Sequence, residues 1–387
     1  MRLLIASSEF PPGPGGIGTH ACELARQLVG YSWGVTVVAR QDYASPDAID
    51  AFAETVPFDV ERLRPVRGKP VDAAYRWWRL EALRRRVRPD VMIATGERMT
   101  WLLPSIARYV PWVAIAHGTE LGAPTTWSGR LTCRSLRRAD GVICVSEHTR
   151  GVMHDAGVRP LREAVIPNGA DASRFQPLDP DERERRRRRL GFEGRRVILT
   201  VGHVSRRKGQ EVVIRALPQV VAKCPDVLYV MVGYPTEREF LTTLAKELGV
   251  TGHVSFAGVV DAEDVPVYAA CADLFAMTSR LTEDGDFEGY GIAVVEGALC
   301  GLPAVVADGS GLVEAIAPGD TGLAARQNDP DSTAEALLTL LTDDDLRSRM
   351  GAAARQRAIT EQTWGHRVGQ YDAFLRQVVQ REGRSAP

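Results

Sequence analysis

The segment VILTVGHVSRRKGQ, residues 197–210, shows the unit from which the fold is built. An apolar run over 197–201 is followed by a glycine and a basic loop, and the loop leads into a helix-like stretch. Short apolar runs that alternate with helix-like stretches are typical of parallel sheets covered by helices. These runs are nearly continuous, which predicts strands that are buried on both faces.

Two series of such runs follow one another and predict two similar α/β halves. The runs are 3–6, 35–38, 91–94, 113–116 and 142–145, then 197–201, 227–232, 254–256, 274–277 and 304–307. Between the series, turn residues and prolines at 166–171 and 177–180 mark a domain boundary. A length of 387 residues also exceeds what one hydrophobic core usually organises.

Composition argues against several classes of protein. Lys and Arg number 48 against 49 Asp and Glu, so the net charge of −1 offers no field for a nucleic acid. The six cysteines show neither C-x-x-C pairs nor zinc spacing, and are expected to be core residues in a reducing cytoplasm. No apolar run approaches the ~18 residues of a membrane span, and the N-terminus lacks a signal-peptide core.

A glycine-rich loop, FPPGPGGIGTH, follows the first apolar run at residues 10–20. Such glycines let backbone amides approach a phosphate at a helix N-terminus. Gly13, Gly15 and Gly18 also match G-x-G-x-x-G, the pattern of dinucleotide-binding dehydrogenases, and Arg40 would suit the 2′-phosphate of NADP. The residues between the strand and Gly13 fit that pattern poorly, but an NADP-dependent oxidoreductase stays open as an alternative.

Two later segments carry charged residues that suit a sugar nucleotide. The basic loop at 203–208 is expected to neutralise a diphosphate leaving group. In the segment 284–298, Glu288 and Glu296 are eight positions apart (296 minus 288), with glycines before a helix start. On one helix their side chains would point about 80° apart around the axis, so the two carboxylates cannot act as one pair. We therefore expect different roles, in which one accepts hydrogen bonds from sugar hydroxyls and the other from ribose hydroxyls.

Together these motifs resemble the retaining glycosyltransferases of family 4, which have the two-domain fold called GT-B. The resemblance rests on Phe10-Pro11-Pro12 with Gly15-Gly16, His117-Gly118-Thr119-Glu120, Val145-Ser146, Ile166-Pro167-Asn168-Gly169, Arg207-Lys208-Gly209, Glu288 with Glu296, residues 297–307, and Trp364. It implies two Rossmann-like α/β domains that face each other across a cleft. Residues 1–178 would bind the acceptor, 179–362 the nucleotide-sugar donor, and a C-terminal helix within 363–387 would pack back on the first domain.

The implied activity is transfer of a hexose-type sugar, with retention, from a GDP- or UDP-linked donor to a hydroxyl acceptor. The chain is similar to phosphatidylinositol mannosyltransferases, but a lipid-linked glycan, an inositol or aminocyclitol, and a small metabolite all stay open as acceptors. The mechanism that the resemblance implies needs no metal and no cofactor, and the pattern of cysteines predicts a cytoplasmic enzyme. A sugar-nucleotide epimerase of the same fold is a second alternative.

The resemblance also implies roles for individual residues. Glu288 would contact the donor sugar, Lys208 the diphosphate, and His117 the acceptor side, so these are the expected catalytic residues. Glu296 would bind the ribose. The remaining residues expected to bind the donor are Gly15, Gly16, His203, Arg207, Gly289, Tyr290, Gly291 and Ile292.

One position departs from the family pattern, because related sequences commonly carry an arginine where this chain has His203. A neutral histidine gives no bidentate clamp on a phosphate. Two explanations stay open. Either the bound diphosphate protonates His203, or Arg206 and Arg207 compensate for it.

A stretch of aromatic and cationic residues at 75–88 allows two interpretations. It could dock peripherally on an anionic membrane surface, at the inner face of the membrane, because it combines tryptophans with arginines. Alternatively, it is a cationic surface helix whose Trp77 packs into the first domain.

Overall fold

In a computed structural model, which describes residues 1–13, 15–40 and 44–380, the chain divides into two compact units. The first unit is formed by Met1–Asn168 together with the chain from Trp364, and the second by Gly169–Thr363. Pro14 of the glycine-rich loop and residues 381–387 of the expected C-terminal helix lie outside the described residues.

The first unit contains a seven-stranded parallel sheet in the order β3-β2-β1-β4-β5-β6-β7. The strands are β1 (Arg2–Ser7), β2 (Gly34–Arg40), β3 (Asp59–Leu63), β4 (Val91–Thr95), β5 (Trp112–Ala116), β6 (Gly141–Cys144) and β7 (Glu163–Val165). The helices between them are α1 (Gly16–Val29), α2 (Pro46–Ala53), α3 (Lys69–Val87), α4 (Glu97–Ile106), α5 (Trp127–Leu136) and α6 (Glu147–Asp155).

The second unit contains a six-stranded parallel sheet in the order β10-β9-β8-β11-β12-β13. The strands are β8 (Arg196–Val201), β9 (Val227–Val232), β10 (Val254–Gly258), β11 (Leu274–Met277), β12 (Ala304–Ala307) and β13 (Gly322–Ala325). The helices are α7 (Pro180–Leu190), α8 (Gln210–Lys223), α9 (Arg238–Glu247), α10 (Val265–Cys271), α11 (Ile292–Leu299), α12 (Leu312–Ala315), α13 (Pro330–Thr342) and α14 (Asp344–Glu361).

The central strands are buried on both faces, as their continuous apolar runs predicted. All the residues of β4, β5 and β6 are buried, and so are those of β11 and β12. Parallel strands are buried in this way because the crossover helices cover both faces of the sheet. The prediction of two parallel-sheet α/β domains is therefore confirmed.

The last helix, α15 (Trp364–Val379), belongs to the first unit although the whole second unit precedes it in the chain. Asp372 accepts a hydrogen bond of 2.7 Å from Trp33 Nε1. A side chain on Gly141 would collide with the ring of Phe374, so the helix packs closely against β6. The sequence placed the first domain boundary after residue 178 and the second at residue 363, whereas the second unit runs from Gly169 to Thr363. Near its start, Ala170 N donates to Gln362 O at 2.9 Å within this unit.

Both sheets reverse their strand order at one point, between β1 and β4 and between β8 and β11. At such a point the loops that follow the two strands diverge and leave a crevice beyond their carboxyl ends. Ligands of open parallel sheets bind in this crevice. The loops after β8 and β11, and after β1 and β4, are therefore where functional side chains are expected.

Candidate active site

The loop after β8 is held against the end of β11 by backbone contacts. It contains a short 3₁₀ turn, Arg206–Lys208, that ends at Gly209 with φ of +68°. Thr278 Oγ1 donates to the Gly209 carbonyl at 2.7 Å, and a side chain on Gly209 would collide with the Thr278 carbonyl. Only glycine combines this left-handed backbone with so close an approach. The position of Lys208 is therefore fixed relative to the segment that follows β11.

Glu288 gathers the basic residues of that loop around one carboxylate. Its Oε2 accepts hydrogen bonds from Lys208 Nζ at 2.6 Å and from Arg207 Nη1 at 2.7 Å. Arg207 Nε also lies 3.1 Å from Asp286 Oδ2. The side chains of Lys208 and Glu288 are only 12% and 13% exposed. Three residues named from the sequence thus meet in one largely buried cluster.

The charges of this cluster depend on one another. Burial alone would raise the pKa of Glu288, but the charges and hydrogen bonds of Lys208 and Arg207 outweigh it and lower that pKa to about 2. Burial also lowers the pKa of Lys208, against the attraction of Glu288. Burial and the neighbouring Glu288 raise the pKa of Asp286, against Arg207. At neutral pH the cluster holds an ionised Glu288 between two cations.

The segment from Glu288 to α11 differs from the expectation in one respect. Helix α11 begins at Ile292, after Gly291 with φ of +90°, so Glu288 precedes the helix while Glu296 lies within it. The rotation of about 80° assumed both carboxylates on one helix and does not apply. Glu288 instead belongs to the loop, where its carbonyl accepts a 3.1 Å hydrogen bond from Gly311 N.

The expected donor-binding residues at 289–292 offer mainly main-chain groups to a ligand. Tyr290 is only 2% exposed and its hydroxyl accepts a 3.3 Å hydrogen bond from Gln362 Nε2. A contact of Tyr290 with a donor would therefore be made by its main chain. Gly289 and Gly291 are buried beside it, and Ile292 opens the first turn of α11, where amides lack partners within the helix.

His203 lies at the same edge, and its ring contacts residues that follow β9. Its Nε2 is 2.6 Å from Thr236 Oγ1, and its ring stands edge-on to Tyr234 at 5.8 Å. Burial, and then the charges of Arg207 and Lys208, lower the pKa of His203. The imidazole is therefore neutral near pH 7.

The two arginines that were expected to compensate for His203 differ in their surroundings. Arg206 is 77% exposed and lies 3.9 Å from Glu237, whereas Arg207 is 22% exposed and contacts Glu288. Arg207 is therefore the one that stands beside Lys208.

In the first unit, Gly15 and Gly16 open helix α1. Gly15 has φ of +139°, and its α-carbon lies against the Glu9 carboxylate. Around Gly16, no described atom lies within 4 Å of where a β-carbon would stand, so this part of the loop leaves room for a ligand.

His117 follows β5 and is anchored at two atoms. Its Nε2 lies 2.7 Å from Thr95 Oγ1, and its backbone N–H donates to Glu120 Oε1 at 2.7 Å. Burial lowers the pKa of His117 to about 4, so the ring is neutral at pH 7. His117 thus lies at the carboxyl edge of the first sheet, beside the reversal between β1 and β4.

Several residues at these edges were not named from the sequence. Gln210 bonds the His203 carbonyl at 3.1 Å and thereby braces the basic loop. His20 packs edge-on to His117 at 4.9 Å between ring centroids and bonds Tyr371 of α15 at 2.9 Å. His20 and Tyr371 are 351 positions apart, so only the return of α15 to the first unit could have revealed their contact.

Comparison with known proteins matches both halves of the chain. The family model "Glycosyltransferase Family 4" covers residues 14–174, and "Glycosyl transferases group 1" covers 181–357. The GDP-mannose-dependent alpha-(1-6)-phosphatidylinositol monomannoside mannosyltransferase of Mycolicibacterium smegmatis is 36% identical over 280 residues, 71% of this chain and 72% of that protein. The chain belongs to glycosyltransferase family 4.

Other relatives span almost the whole of this glycosyltransferase. The mannosyltransferase of the same description from Mycobacterium tuberculosis is 29% identical over 395 residues, 97% of this chain and 98% of that protein. The crystal structure of Anabaena HepE in complex with UDP-glucose superposes with a TM-score of 0.83 at 22% identity, over 97% of this chain and 100% of that one. This structural likeness establishes the GT-B fold.

The comparisons give no support to the two alternative functions. Neither a sugar-nucleotide epimerase nor an NADP-dependent oxidoreductase is among the relatives described above. Arg40, on which the NADP interpretation depended, lies 3.4 Å from the carboxylate of Asp72.

The described residues show neither a cluster of metal ligands nor a membrane-spanning helix. Within residues 1–13, 15–40 and 44–380, no group of three or more His, Cys, Asp or Glu side chains is placed to hold a metal ion. In the same part of the chain, no helix combines the length and apolar character that crossing a membrane requires.

Proposed function

We propose that this glycosyltransferase moves a mannosyl group, with retention, from GDP-mannose to a hydroxyl of an inositol-containing glycolipid. The observation that carries the transfer chemistry is the pairing of Lys208 and Arg207 with Glu288 at the reversal point of the second sheet. The choice of donor and acceptor is supported by relatives described as GDP-mannose-dependent phosphatidylinositol monomannoside mannosyltransferases.

In this proposal the diphosphate of the donor shares the two cations that now contact Glu288. Positive groups fixed in a largely buried site stabilise the charge that develops on a leaving group more strongly than they would in water. The amides at the start of α11 add to this field, because a helix N-terminus favours anions. Glu288 is then able to accept hydrogen bonds from sugar hydroxyls, and Glu296 from the ribose. Two protein cations supply the charge that a metal would otherwise bring.

A panel of nucleotides tests the donor directly. GDP and GDP-mannose are expected to raise the Tm of the protein more than UDP, ADP or TDP, because a ligand stabilises the folded state by mass action. The measurement is a thermal-shift titration, repeated with magnesium and with EDTA. An unchanged shift in EDTA supports the metal-independent site. A shift with UDP alone, or one that EDTA abolishes, would contradict the proposed donor or the proposed metal independence.

Arg207→Ala is expected to weaken binding of GDP-mannose by a factor of about 10 to 100, because a charged hydrogen bond to the diphosphate is worth roughly 1.5–3 kcal/mol. Arg206→Ala is the matched control, since Arg206 is exposed and lies beside Glu237. Isothermal titration of the two variants gives the comparison. If both variants bound the donor equally well, the assignment of Arg207 would be wrong.

The pH dependence of that binding separates the two explanations for His203. A group that becomes charged on binding has a raised pKa in the complex, so affinity would rise as the pH falls through that pKa. The pKa of His203 is already lowered, and both phosphoryl groups of GDP-mannose are esterified. Affinity is therefore expected to stay nearly constant between about pH 6 and pH 8. A clear rise toward pH 6 that His203→Gln removes would show that the diphosphate protonates His203.

The acceptor proposal includes peripheral contact with the inner face of the membrane. Along α3, Arg79 and Arg86 share Glu61, and Arg84 and Arg85 share Glu81, so each carboxylate offsets only one of its two cations and the helix keeps positive charge. The tryptophans are the more prominent feature. Trp78 is 59% exposed, and Trp77 is 40% exposed with its Nε1 bonded to Ser105 Oγ at 3.0 Å. Exposed indole rings suit the interface between headgroups and acyl chains.

Trp78→Ala is expected to reduce binding to vesicles of phosphatidylcholine and phosphatidylinositol about fivefold to tenfold, since the ring contributes buried apolar area at the interface. Cosedimentation at several lipid concentrations measures the effect. Phe240→Ala serves as the matched control, because Phe240 is a 43% exposed aromatic residue on α9 of the second unit. Equal binding by the wild type and both variants would exclude α3 as the contact surface.

A further inference from the structure

A group of buried rings lies behind His117 in the first unit. His20, on α1, is fully buried, and its ring centroid is 4.9 Å from that of His117 at an interplanar angle of 81°. Trp364 and Tyr371, both on α15, pack against His20 with centroids at 5.3 Å and 5.8 Å. His20 therefore connects the last helix of the chain to the expected acceptor side of the enzyme.

The hydrogen bonds of His20 favour one tautomer. Its Nε2 lies 2.9 Å from Tyr371 Oη, and that hydroxyl donates onward to the Ile166 carbonyl at 3.4 Å. His20 Nδ1 is buried with no hydrogen-bond partner among the described residues. A proton on Nδ1 would be a buried donor without an acceptor, which is costly. The proton is thus placed on Nε2, which donates to Tyr371.

The surroundings keep both imidazoles neutral. Burial, and then the proximity of His117, lower the pKa of His20 well below its usual range. Burial lowers the pKa of His117 to about 4. The other titratable or charged groups that act on this cluster are Glu120 at the His117 backbone, and Arg367 and Cys144 near Tyr371.

His117 itself has few restraints on its ring orientation. Its main chain is held by Glu120, but among the described residues its side chain forms a hydrogen bond only with Thr95. One hydrogen bond to a ring nitrogen leaves rotation about that contact open. The neighbouring ring of His20, 4.9 Å away and at 81° to it, opposes this rotation, because a buried and hydrogen-bonded ring cannot move aside without losing its own contacts.

We propose that His20 and Tyr371 are positioning residues, which hold the His117 ring in the orientation that the acceptor hydroxyl requires. This inference rests on the proposed role of His117 at the acceptor side. A misplacement of about 1 Å in a group that orients a substrate can cost a factor of about 100 in rate. Helix α15 then does more than complete the first unit, since its Tyr371 acts through His20 on the orientation of His117.

The test compares Tyr371→Phe and His20→Ala with Asp372→Asn. Asp372 is the neighbour of Tyr371 on α15 and anchors the helix to Trp33, so its variant perturbs helix packing without touching His20. Each protein is labelled with ¹⁵N-histidine, and the imidazole resonances of His20 and His117 are followed from about pH 4 to pH 8. Transfer from GDP-mannose is measured in parallel, with kcat and the KM of donor and acceptor determined separately.

In the wild type, His20 should show the Nε2–H tautomer throughout the titration. In Tyr371→Phe, the His20 tautomers should mix and the His117 resonances should shift, while kcat falls about tenfold and the donor KM stays within twofold. In His20→Ala, water reaches His117, its pKa rises toward the ordinary value of 6.5, and kcat falls further. Asp372→Asn should leave both histidines and kcat close to the wild type.

Unchanged His117 resonances in Tyr371→Phe would overturn the inference, as would equal loss of kcat in Tyr371→Phe and Asp372→Asn. Should His20→Ala fail to fold, Tyr371→Phe alone still decides the matter. Failure of the proposed function looks different. In that case the wild type transfers no sugar from GDP-mannose, or His117→Ala is as active as the wild type, and the resonances still report whether His20 and Tyr371 orient His117.

Discussion

Replacing Lys208 with alanine is expected to lower the rate of sugar transfer about 1000-fold and to weaken binding of GDP about tenfold. Lys208 Nζ lies 2.6 Å from Glu288 Oε2, and the Lys208 side chain is only 12% exposed. The loop that carries it is held against Thr278 by the close approach of Gly209. A cation that is already desolvated and fixed needs little reorganisation when negative charge grows on the leaving diphosphate. The effect on kcat should therefore exceed the effect on binding.

The fold should survive this change, because Arg207 still contacts Glu288 at 2.7 Å after Lys208 is truncated. Lys246→Ala is the matched control, since Lys246 is an exposed lysine on α9 of the same unit. Steady-state kinetics with GDP-mannose, together with isothermal titration of GDP, give both quantities. Activity of Lys208→Ala within tenfold of the Lys246→Ala control would remove Lys208 from the transfer machinery.

Two of the strands that the sequence did not predict share a physical cause. β3 reads DVERL and β7 reads EAV, and both lie at the edges of the first sheet. An edge strand is covered by fewer neighbours and therefore need not be continuously apolar, so the pattern that identified the central strands was absent.

The site residues also differ in whether the sequence alone could identify them. Lys208 and Glu288 could be named because each belongs to a local motif beside a strand end, and the structure brings them together. Their roles stay predictions. Arg207 could be distinguished from Arg206 only in three dimensions, since adjacent residues in a 3₁₀ turn face different directions. His20 and Tyr371 required the packing of α15, which no local pattern encodes.

Glu288→Gln is expected to lower kcat about 1000-fold while it leaves GDP binding unchanged or strengthens it a few-fold. The amide keeps the size of the side chain but removes the negative charge that now competes with a diphosphate for Lys208 and Arg207. Alanine would also leave a void beside two largely buried cations, so glutamine separates charge from packing. Transfer falls because a neutral amide orients the sugar hydroxyls less strongly than a carboxylate does.

The same substitution predicts a distinctive change in stability with pH. The pKa of Glu288 is lowered to about 2 from an ordinary value of 4.5, so its contribution is complete above 4.5 and is lost as the pH falls toward 2. Glu288→Gln lacks this contribution at neutral pH and should lose correspondingly less on acidification. Tm measured from about pH 3 to pH 7 tests this, with Glu239→Gln on exposed α9 as the control. Near-normal transfer by Glu288→Gln would overturn the site assignment. If Tm fell with pH equally in Glu288→Gln and in the wild type, the ion pair would contribute nothing to stability, whatever the role of Glu288 in catalysis.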